Sequence, residues 1–406
     1  MECYGHPNET IRNLKIKVKS KYIGLYFAPF LTDMLMGSIT IAVPLMAISL
    51  GASSLSLGML GSSMGITYIS LCFFFGKLSE RWHRKNLLVL GSFVYVAASL
   101  LFSFSSQIYH LYLSMLLLGV AGAMFWPTLE AWIAEKESKR TLIQKMALFN
   151  ISWSTGLAVG PLIGGILFGI NFKLPFCFAF LVSVFALLIL FYKTPKVSFS
   201  TKSKSFTDKT FLSEAPPDNF SLYIRISRMA NFILCLCTGM VWYIFPKLGT
   251  QLQISPSFLG LLMFTLSFSR VLTFYGLGRV HQWHYRIFPL VLFQLIAAVG
   301  LIIIFVTSSL PLFFLAFVFI GVGLGMTFSS SLFYSVNVTS QKGPSAAIHE
   351  TVLMSGFLLG PLIGGAVAQE FSLRAPYLVV AAIVVVGIFT QLLLKRRYGL
   401  LDRATT

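Results

Sequence analysis

Five ionisable residues lie inside long apolar runs of this sequence, where burying a charge is costly. They are Asp33, Glu130, Arg270, His349 and Glu350. A buried carboxyl group can bind and release a proton, and an arginine stays charged and can bind an anion or neutralise an acid. A histidine can titrate near neutral pH. These residue types therefore indicate solute binding or proton transfer within an apolar environment.

The same residues also have structural interpretations, which the sequence leaves open. Arg270 could form a static ion pair with Asp33 or Glu350, and His349 could lie at a membrane interface. Tryptophans at 126, 153 and 242 could line a cavity, but aromatic belts and lipid-facing packing explain most aromatic residues of such chains. Among them, Trp126 is the candidate for substrate contact.

No set of residues typical of an enzyme accompanies these charges. The sequence has no nucleotide-binding loop of the G-x-x-x-x-G-K type and no Ser/His/Asp set or metal-ligand cluster at one depth. Four of the five cysteines lie in apolar runs and suggest neither a zinc site nor a disulfide framework. We therefore expect no enzyme, no cofactor and no metal.

The elements that must position these residues are membrane-spanning helices. Of the 406 residues, 56% are hydrophobic and 11% charged, against about 25% charged in an average soluble domain. A helix needs about 20 apolar residues to cross about 30 Å of hydrocarbon. Twelve such runs are predicted, with approximate cores at residues 22–49, 55–76, 87–105, 110–133, 146–169, 175–192, 222–246, 257–278, 287–307, 310–336, 346–369 and 375–394.

The distribution of lysine and arginine predicts the orientation of these helices. With twelve spans both termini share one side, and 27 of the 31 basic residues fall on that side. The positive-inside rule then places both termini in the cytoplasm. The net charge of +18 is therefore explained by topology, and we expect no nucleic-acid partner. The predicted location is the plasma (inner) membrane.

An internal duplication divides the chain into two halves. The string GPLIGG occurs at residues 160–165 and again at 360–365, and SLGML at 56–60 corresponds to FLGLL at 258–262. Duplicated halves are typical of transporters. The predicted domains are an N-terminal six-helix bundle (1–192), a cytoplasmic linker (193–220) and a C-terminal six-helix bundle (221–406). Because the longest polar segment is this short linker, a sensor with a large soluble domain is disfavoured.

The segment GKLSERWHRK at residues 76–85 carries a family resemblance. It resembles the G-x-L-a-D-R-x-G-R-[KR] motif of the major facilitator superfamily, although Glu80 replaces the usual Asp and His83 a usual Gly. The second-half copy loses the acid to Gln282. The resemblance covers nearly the whole chain and implies an all-α membrane fold of two pseudo-symmetric six-helix bundles. The residues assigned to a cytoplasmic gate are Gly76, Glu80, Arg81, Arg84, Lys85, Glu130 and Glu135.

By this resemblance, the acid caps a partner helix in one conformational state, and Arg84 pairs with Glu130 or Glu135 at the end of span 4. The alternative is that the basic cluster only anchors the loop at the membrane surface. Drug–proton antiporters of the superfamily usually carry an arginine in span 4, where this chain has Met115. That departure puts proton antiport by the usual arrangement in doubt.

Glycines recurring every four residues in spans 5 and 11 predict two close-packing helix faces. Each row is expected to pack on the opposite half, which would allow the halves to rock. The alternative is close packing without a mechanical role. The pattern resembles the GxxxGPxxGG element of antiporters, but its presence in both halves makes it less diagnostic of export. The rows comprise Gly156, Gly160, Pro161, Gly164 and Gly165, and Gly356, Gly360, Pro361, Gly364 and Gly365.

The favoured function is a secondary active transporter of a small organic solute by alternating access, efflux-type and proton-coupled. The alternatives are a facilitator or proton symporter importing a sugar or organic acid, a lipid or lysolipid flippase, and a non-transporting membrane sensor. The expected partners are the lipid bilayer, a small-molecule substrate and protons as coupling ion. The resemblance implies a monomer.

Overall fold

The computed structural model describes residues 23–133, 139–193, 220–280, 282–337 and 342–405. The described chain forms twelve helices in sequence order, all of them α-helices. They are α1 Ile23–Ser49, α2 Ser54–Arg81, α3 Arg84–Ser103, α4 Ile108–Ile133, α5 Lys139–Ile170, α6 Leu174–Lys193, α7 Phe220–Gln251, α8 Pro256–Leu277, α9 Ile287–Val306, α10 Leu310–Asn337, α11 Lys342–Glu370 and α12 Ala375–Thr405.

The twelve predicted spans are confirmed, since all twelve helices are long and apolar enough to cross a membrane. Large apolar side chains such as Phe73, Phe288 and Phe389 lie exposed on the outside of the bundle. In a soluble protein such a surface would favour aggregation, whereas lipid chains cover it favourably. The predicted linker at 193–220 falls almost entirely outside the described residues.

The duplication is visible in the backbone of the turns that precede α2 and α8. Gly51 has a φ of 81°, and its counterpart Gln253 has a φ of 58°. After each turn the same hydrogen bond forms, from Ala52 N to the carbonyl of residue 47 and from Ile254 N to that of residue 249, both at 2.9 Å. Two stretches with different side chains thus fold alike.

Helix packing repeats in the two halves. Helices α1 and α5 pack together as α7 and α11 do, and the pairs α2–α4 and α3–α6 correspond to α8–α10 and α9–α12. Between the halves, α2 packs on α11 and α5 packs on α8. Four helices from the two halves therefore form the interface that surrounds the candidate site.

The glycine rows explain how closely these helices approach. A Cβ added at Gly164 would lie 2.8 Å from Cα of Ser38 on α1, and one at Gly356 would lie 2.7 Å from Cβ of Cys235 on α7. The expectation that the rows pack on the opposite half is therefore wrong for most members. Gly156, Gly160 and Gly164 pack on α1 of their own half, and Gly356, Gly360 and Gly364 pack on α7 of theirs.

The last glycine of each row does face the other half. A Cβ at Gly165 would lie 2.8 Å from Cα of Gly260 on α8, and one at Gly365 would lie 2.8 Å from Cα of Gly58 on α2. The duplication relates these two contacts, because Gly58 in the first half and Gly260 in the second half are equivalent positions. A small-residue face is needed here because the two backbones nearly touch.

These crossings lie at the end of the bundle away from the chain termini, which we call the distal side. Among the described residues, two hydrogen bonds join the halves at this end. Lys247 Nζ on α7 donates to the carbonyl of Ala52 at 2.9 Å, and Ser54 N donates to Gln369 Oε1 on α11 at 3.1 Å. The distal side is therefore held closed by both helix packing and polar contacts.

Candidate functional site

Arg270 lies at the centre of the candidate site, on α8 and 3% exposed. Its guanidinium carbon is 5.2 Å from the ring centroid of Trp153 on α5 and 5.9 Å from that of Phe274. Residues 270 and 274 are one helical turn apart, so their side chains share a face of α8. Because Trp153 belongs to the other half, the arginine side chain bridges the two bundles.

Asp33 on α1 is the acidic residue that interacts electrostatically with Arg270. Its side chain is 8% exposed. Within the described part of the chain, no direct hydrogen bond joins the two side chains, and Arg270 Nε and Nη2 are buried without a hydrogen-bond partner. The charges are thus near enough to interact but are not paired by contact in this conformation.

Asn231 on α7 extends this polar group from the second half. Its Oδ1 accepts a hydrogen bond from Cys235 Sγ at 3.7 Å, and Cys235 interacts electrostatically with Arg270. Among the described residues, Asn231 Nδ2 is buried and has no hydrogen-bond partner. Two different side chains therefore hold buried N–H groups without acceptors.

His349 on α11 is 1% exposed and is therefore buried rather than interfacial. Its Nδ1 lies 2.8 Å from Ser331 Oγ on α10, whereas Nε2 has no partner within the described residues. Its ring packs against Phe328 at a centroid distance of 5.3 Å. Phe328 also contacts Trp153 and Phe274, at 5.9 and 5.4 Å. The rings of Trp153, Phe274 and Phe328, here called the aromatic cluster, connect His349 with Arg270.

A second charged group lies nearby and joins α4 with α11. Glu130 and Glu350, one from each half, interact electrostatically, and both act on Tyr68 and Cys72 of α2. Both carboxylates are partly buried. Two like charges repel when both are ionised, so a proton bound by either removes the repulsion. The structure thus brings together two acids that are 220 positions apart in the chain.

Trp126 lies on α4 within the first half. Its ring contacts Phe125 and Phe149 at centroid distances of 5.3 and 6.1 Å. It is partly buried and packs against the apolar core. Of the tryptophans considered from sequence, Trp153 rather than Trp126 is the one in contact with Arg270.

The described residues assigned to the gate lie at the side of the bundle where α1 begins and α12 ends. Arg84 Nη1 donates to the carbonyl of Ala131, in the last turn of α4, and Lys85 Nζ donates to the carbonyl of Phe191 on α6 at 2.7 Å. Both cations thereby satisfy carbonyls at helix C-termini, where positive charge is favourable. Gly76 lies in α2, and Arg81 is exposed in its last turn.

Two gate candidates cannot be placed in this way. Glu135 lies outside the described residues, and so does the side chain of Glu80, whose backbone belongs to the last turn of α2. The predicted pairing of Arg84 with Glu130 or Glu135 stays a prediction. What the structure adds is that Arg84 reaches the end of α4 on which both acids were expected.

An open groove of about 350 Å³ lies between α7 and α11. It lies beside the third and fourth turns of α7 and beside the turn of α11 that directly precedes Gly356. Most of its surface is apolar, with polar groups from a few residues only. Its lining comprises Arg228, Met229, Phe232, Thr351, Val352 and Ser355.

Sequence reasoning identified the charged members of the site but missed Phe274, Phe328 and Ser331. The spacing of Arg270 and Phe274 on one helix was a usable signal. Phe328 has no such signal, because 39 phenylalanines occur in the chain and apolar periodicity is weak in membrane helices. Its contacts with three different helices became visible only in the packed structure.

A family model described as Major Facilitator Superfamily matches residues 25–227 and 229–404. The chain is 24% identical over 389 residues to an uncharacterized MFS-type transporter of Methanocaldococcus jannaschii, covering 94% of this chain and 100% of the relative. It is 26% identical over 380 residues to a multidrug efflux protein of Bacillus subtilis (strain 168), covering 90% and 91% of the two chains.

Among solved structures, the chain resembles a bacterial homologue of the human lysosomal transporter Spinster in an inward-facing, unoccupied conformation. The TM-score is 0.73 at 14% sequence identity, and the match covers 93% of this chain and 96% of that one. At this identity the likeness shows a shared fold.

Proposed function

Because this chain belongs to the Major Facilitator Superfamily, whose members are membrane transporters and not enzymes, we propose that it exports a small organic solute by alternating access. The observation that carries the proposal is Arg270, a buried cation at the junction of the two halves, whose Nε and Nη2 have no hydrogen-bond partner among the described residues. Unpaired buried charge in a membrane protein marks a site that binds solutes or ions.

The distal closure supports alternating access. Gly165 meets Gly260, and Gly365 meets Gly58, at the distal ends of the four interface helices. Rocking of one half against the other would separate these contacts and open the distal side. We infer that the two rocking units are the bundles 1–192 and 221–406, joined by the segment 193–220.

The basic residues support an inward-facing assignment. If the termini are cytoplasmic, as the positive-inside rule indicates, the closed distal side is the outer face of the plasma membrane. The site at Arg270 would then communicate with the cytoplasm, from which an exporter takes its cargo. The single described chain is proposed to act as a monomer.

Export is favoured over import by the sequence similarity to a multidrug efflux protein, which extends over 90% of the chain. Such relatives suggest a broad cargo rather than a single metabolite. The apolar lining between α7 and α11 is compatible with an amphipathic or aromatic solute. A lipid or lysolipid cargo would need the same features and is an outcome of the experiment below.

We propose that proton coupling uses the carboxylates Glu130, Glu350 and Asp33. Glu130 and Glu350 repel one another across the halves when both are ionised, so protonation favours the conformation in which they are close. Separation of the halves would remove this repulsion and favour release of the proton. This arrangement differs from the superfamily's arginine in span 4, a position at which Met115 is buried here.

The test is solute flux in proteoliposomes under an imposed pH gradient. Pools of neutral, cationic and anionic aromatic solutes would be compared with protein-free vesicles, and a fluorescent lysolipid would be included. The variants are Asp33→Asn and Glu350→Gln, with Glu370→Gln as a matched control because Glu370 is exposed at the distal end of α11.

We expect gradient-driven solute flux in the parent chain and in Glu370→Gln, and its loss in at least one of the two site variants. If the rate of solute flux is the same with and without the pH gradient, and the same in both variants as in the parent, proton coupling is rejected. Movement of the lysolipid without movement of any aqueous solute would replace solute export with lipid transport.

A further inference from the structure

The unsatisfied polar atoms around Arg270 are mostly hydrogen-bond donors. Within the described residues, the buried atoms without partners include Arg270 Nε and Nη2 and Asn231 Nδ2. All three carry hydrogens and cannot accept. Electrostatic interaction of Cys235 with Arg270, and its hydrogen bond to Asn231, place these groups in one neighbourhood.

A cluster of donors without acceptors is costly to keep buried. An unsatisfied buried donor is destabilising, and a charged one more so. In native proteins each such exception has a cause, such as a functional role, an ordered water or a bound ion. A ligand that brings oxygen acceptors would satisfy the N–H groups of Arg270, whereas the charge of a cationic ligand would be repelled by the guanidinium.

The aromatic cluster adds a second property to this site. Trp153 and Phe274 lie within cation–π distance of the guanidinium, and Phe328 packs against both rings. A planar apolar group could stack on these rings while an attached anionic group reaches Arg270. Arginine's planar fork suits a carboxylate because two parallel N–H···O bonds can form.

We propose that Arg270 binds the anionic group of an aromatic carboxylate substrate, with Asn231 as a further donor and the aromatic cluster holding the ring. This assignment rests on the proposed transport function and names its substrate class. When ionised, Asp33 supplies an opposing charge in the empty site, because the two side chains interact electrostatically.

This role of Asp33 gives the two charges opposite effects on binding. Replacing Arg270 removes the anion's partner and weakens binding. Replacing Asp33 with asparagine removes a competing negative charge and strengthens binding. If the two residues instead formed a purely structural ion pair, both replacements would disturb the same site and weaken binding alike.

The experiment is equilibrium dialysis of radiolabelled 2-naphthoate with the purified full-length chain in detergent. The neutral isostere 2-naphthamide tests the need for charge. The variants are Arg270→Gln, Arg270→Lys and Asp33→Asn, with Arg396→Gln as a matched control because Arg396 is exposed near the end of α12. Gel filtration and thermal unfolding verify that each variant is folded.

We expect saturable 2-naphthoate binding that falls about tenfold or more in Arg270→Gln and rises about threefold or more in Asp33→Asn. The affinity of Arg270→Lys should lie between those of the parent and Arg270→Gln, because lysine keeps the charge but cannot form the two parallel hydrogen bonds of a guanidinium. The affinity of Arg396→Gln for 2-naphthoate should equal that of the parent. 2-Naphthamide should bind at least about tenfold more weakly than 2-naphthoate.

Three results would overturn the assignment: no saturable binding by the parent chain, equal binding of acid and amide, or weaker binding in folded Asp33→Asn. The assignment and the transport proposal can fail separately. Gradient-driven export restricted to cations would leave transport standing and reject the anion site. Binding of 2-naphthoate without any flux would support the anion site and reject the transport proposal.

Discussion

The substitution Gly165→Ala is expected to open the distal side of the transporter. The added Cβ would lie 2.8 Å from Cα and 3.0 Å from the amide nitrogen of Gly260. These neighbours are backbone atoms of α8 and cannot rotate away as a flexible side chain would. Because the contact joins the two halves, the strain is present only while the distal side is closed.

Overpacking of this kind costs about 1–3 kcal/mol. If that cost falls on the closed state alone, the ratio of open to closed molecules rises by about 5- to 150-fold. Gly160→Ala provides a contrast, because its Cβ would meet Gly37 and Ser38 of α1 in the same half. That strain is present in both conformations, so it should lower the thermal stability without changing the conformational ratio.

The assay is electron–electron double resonance between spin labels on the distal loops, at Ser106→Cys and Phe371→Cys in a background without native cysteines. Gly276→Ala serves as the neutral control because a Cβ there meets nothing within 4 Å. We expect longer distances to gain population in Gly165→Ala and not in Gly160→Ala or Gly276→Ala. A distance distribution in Gly165→Ala that matches Gly276→Ala would refute the reasoning.

Three further predictions concern single contacts. Lys247→Met removes the hydrogen bond to the Ala52 carbonyl and should also populate the longer distances; unchanged distances would show that this hydrogen bond does not hold the closure. Gln391→Leu removes the two reciprocal hydrogen bonds of 2.9 and 3.0 Å between Gln391 and the buried amide of Gln294. We expect the free energy of unfolding, measured by thermal denaturation, to fall by about 1–3 kcal/mol. Replacing both glutamines with leucine should recover most of this loss. Arg374→Gln loses the hydrogen bonds from Nη1 to three carbonyls at the end of α9. It should lower the melting temperature without changing the distances between the spin labels. A change in those distances would show that these hydrogen bonds help to hold the distal side closed.

The spans and the duplication were predictable because both depend on local sequence. Apolar length sets where a helix can cross the bilayer, and the helix from Ile287 to Val306 begins and ends within one residue of the predicted core. The repeat of GPLIGG likewise needs no structure to be recognised. These signals do not depend on which helix packs on which.

The partners of the glycine rows were not predictable in the same way. A row of small residues indicates close approach but does not name the neighbouring helix. Gly160 and Gly165 are five positions apart, so they point to different sides of α5, one toward α1 and the other toward α8. Likewise, Arg270 was found from its charge, but its contact with Trp153 depends on how the halves dock.

The two glycine crossings are related to each other as the contacts of a two-fold symmetric dimer are. Gly58 and Gly260 occupy equivalent places in the repeats, as do Gly165 and Gly365, and each half contributes one member to both contacts. In a homodimer, one substitution would alter both copies of such a contact at once. Fusion of the halves into one chain removes that constraint, so one crossing can be altered while its counterpart remains intact, and the two crossings can diverge independently.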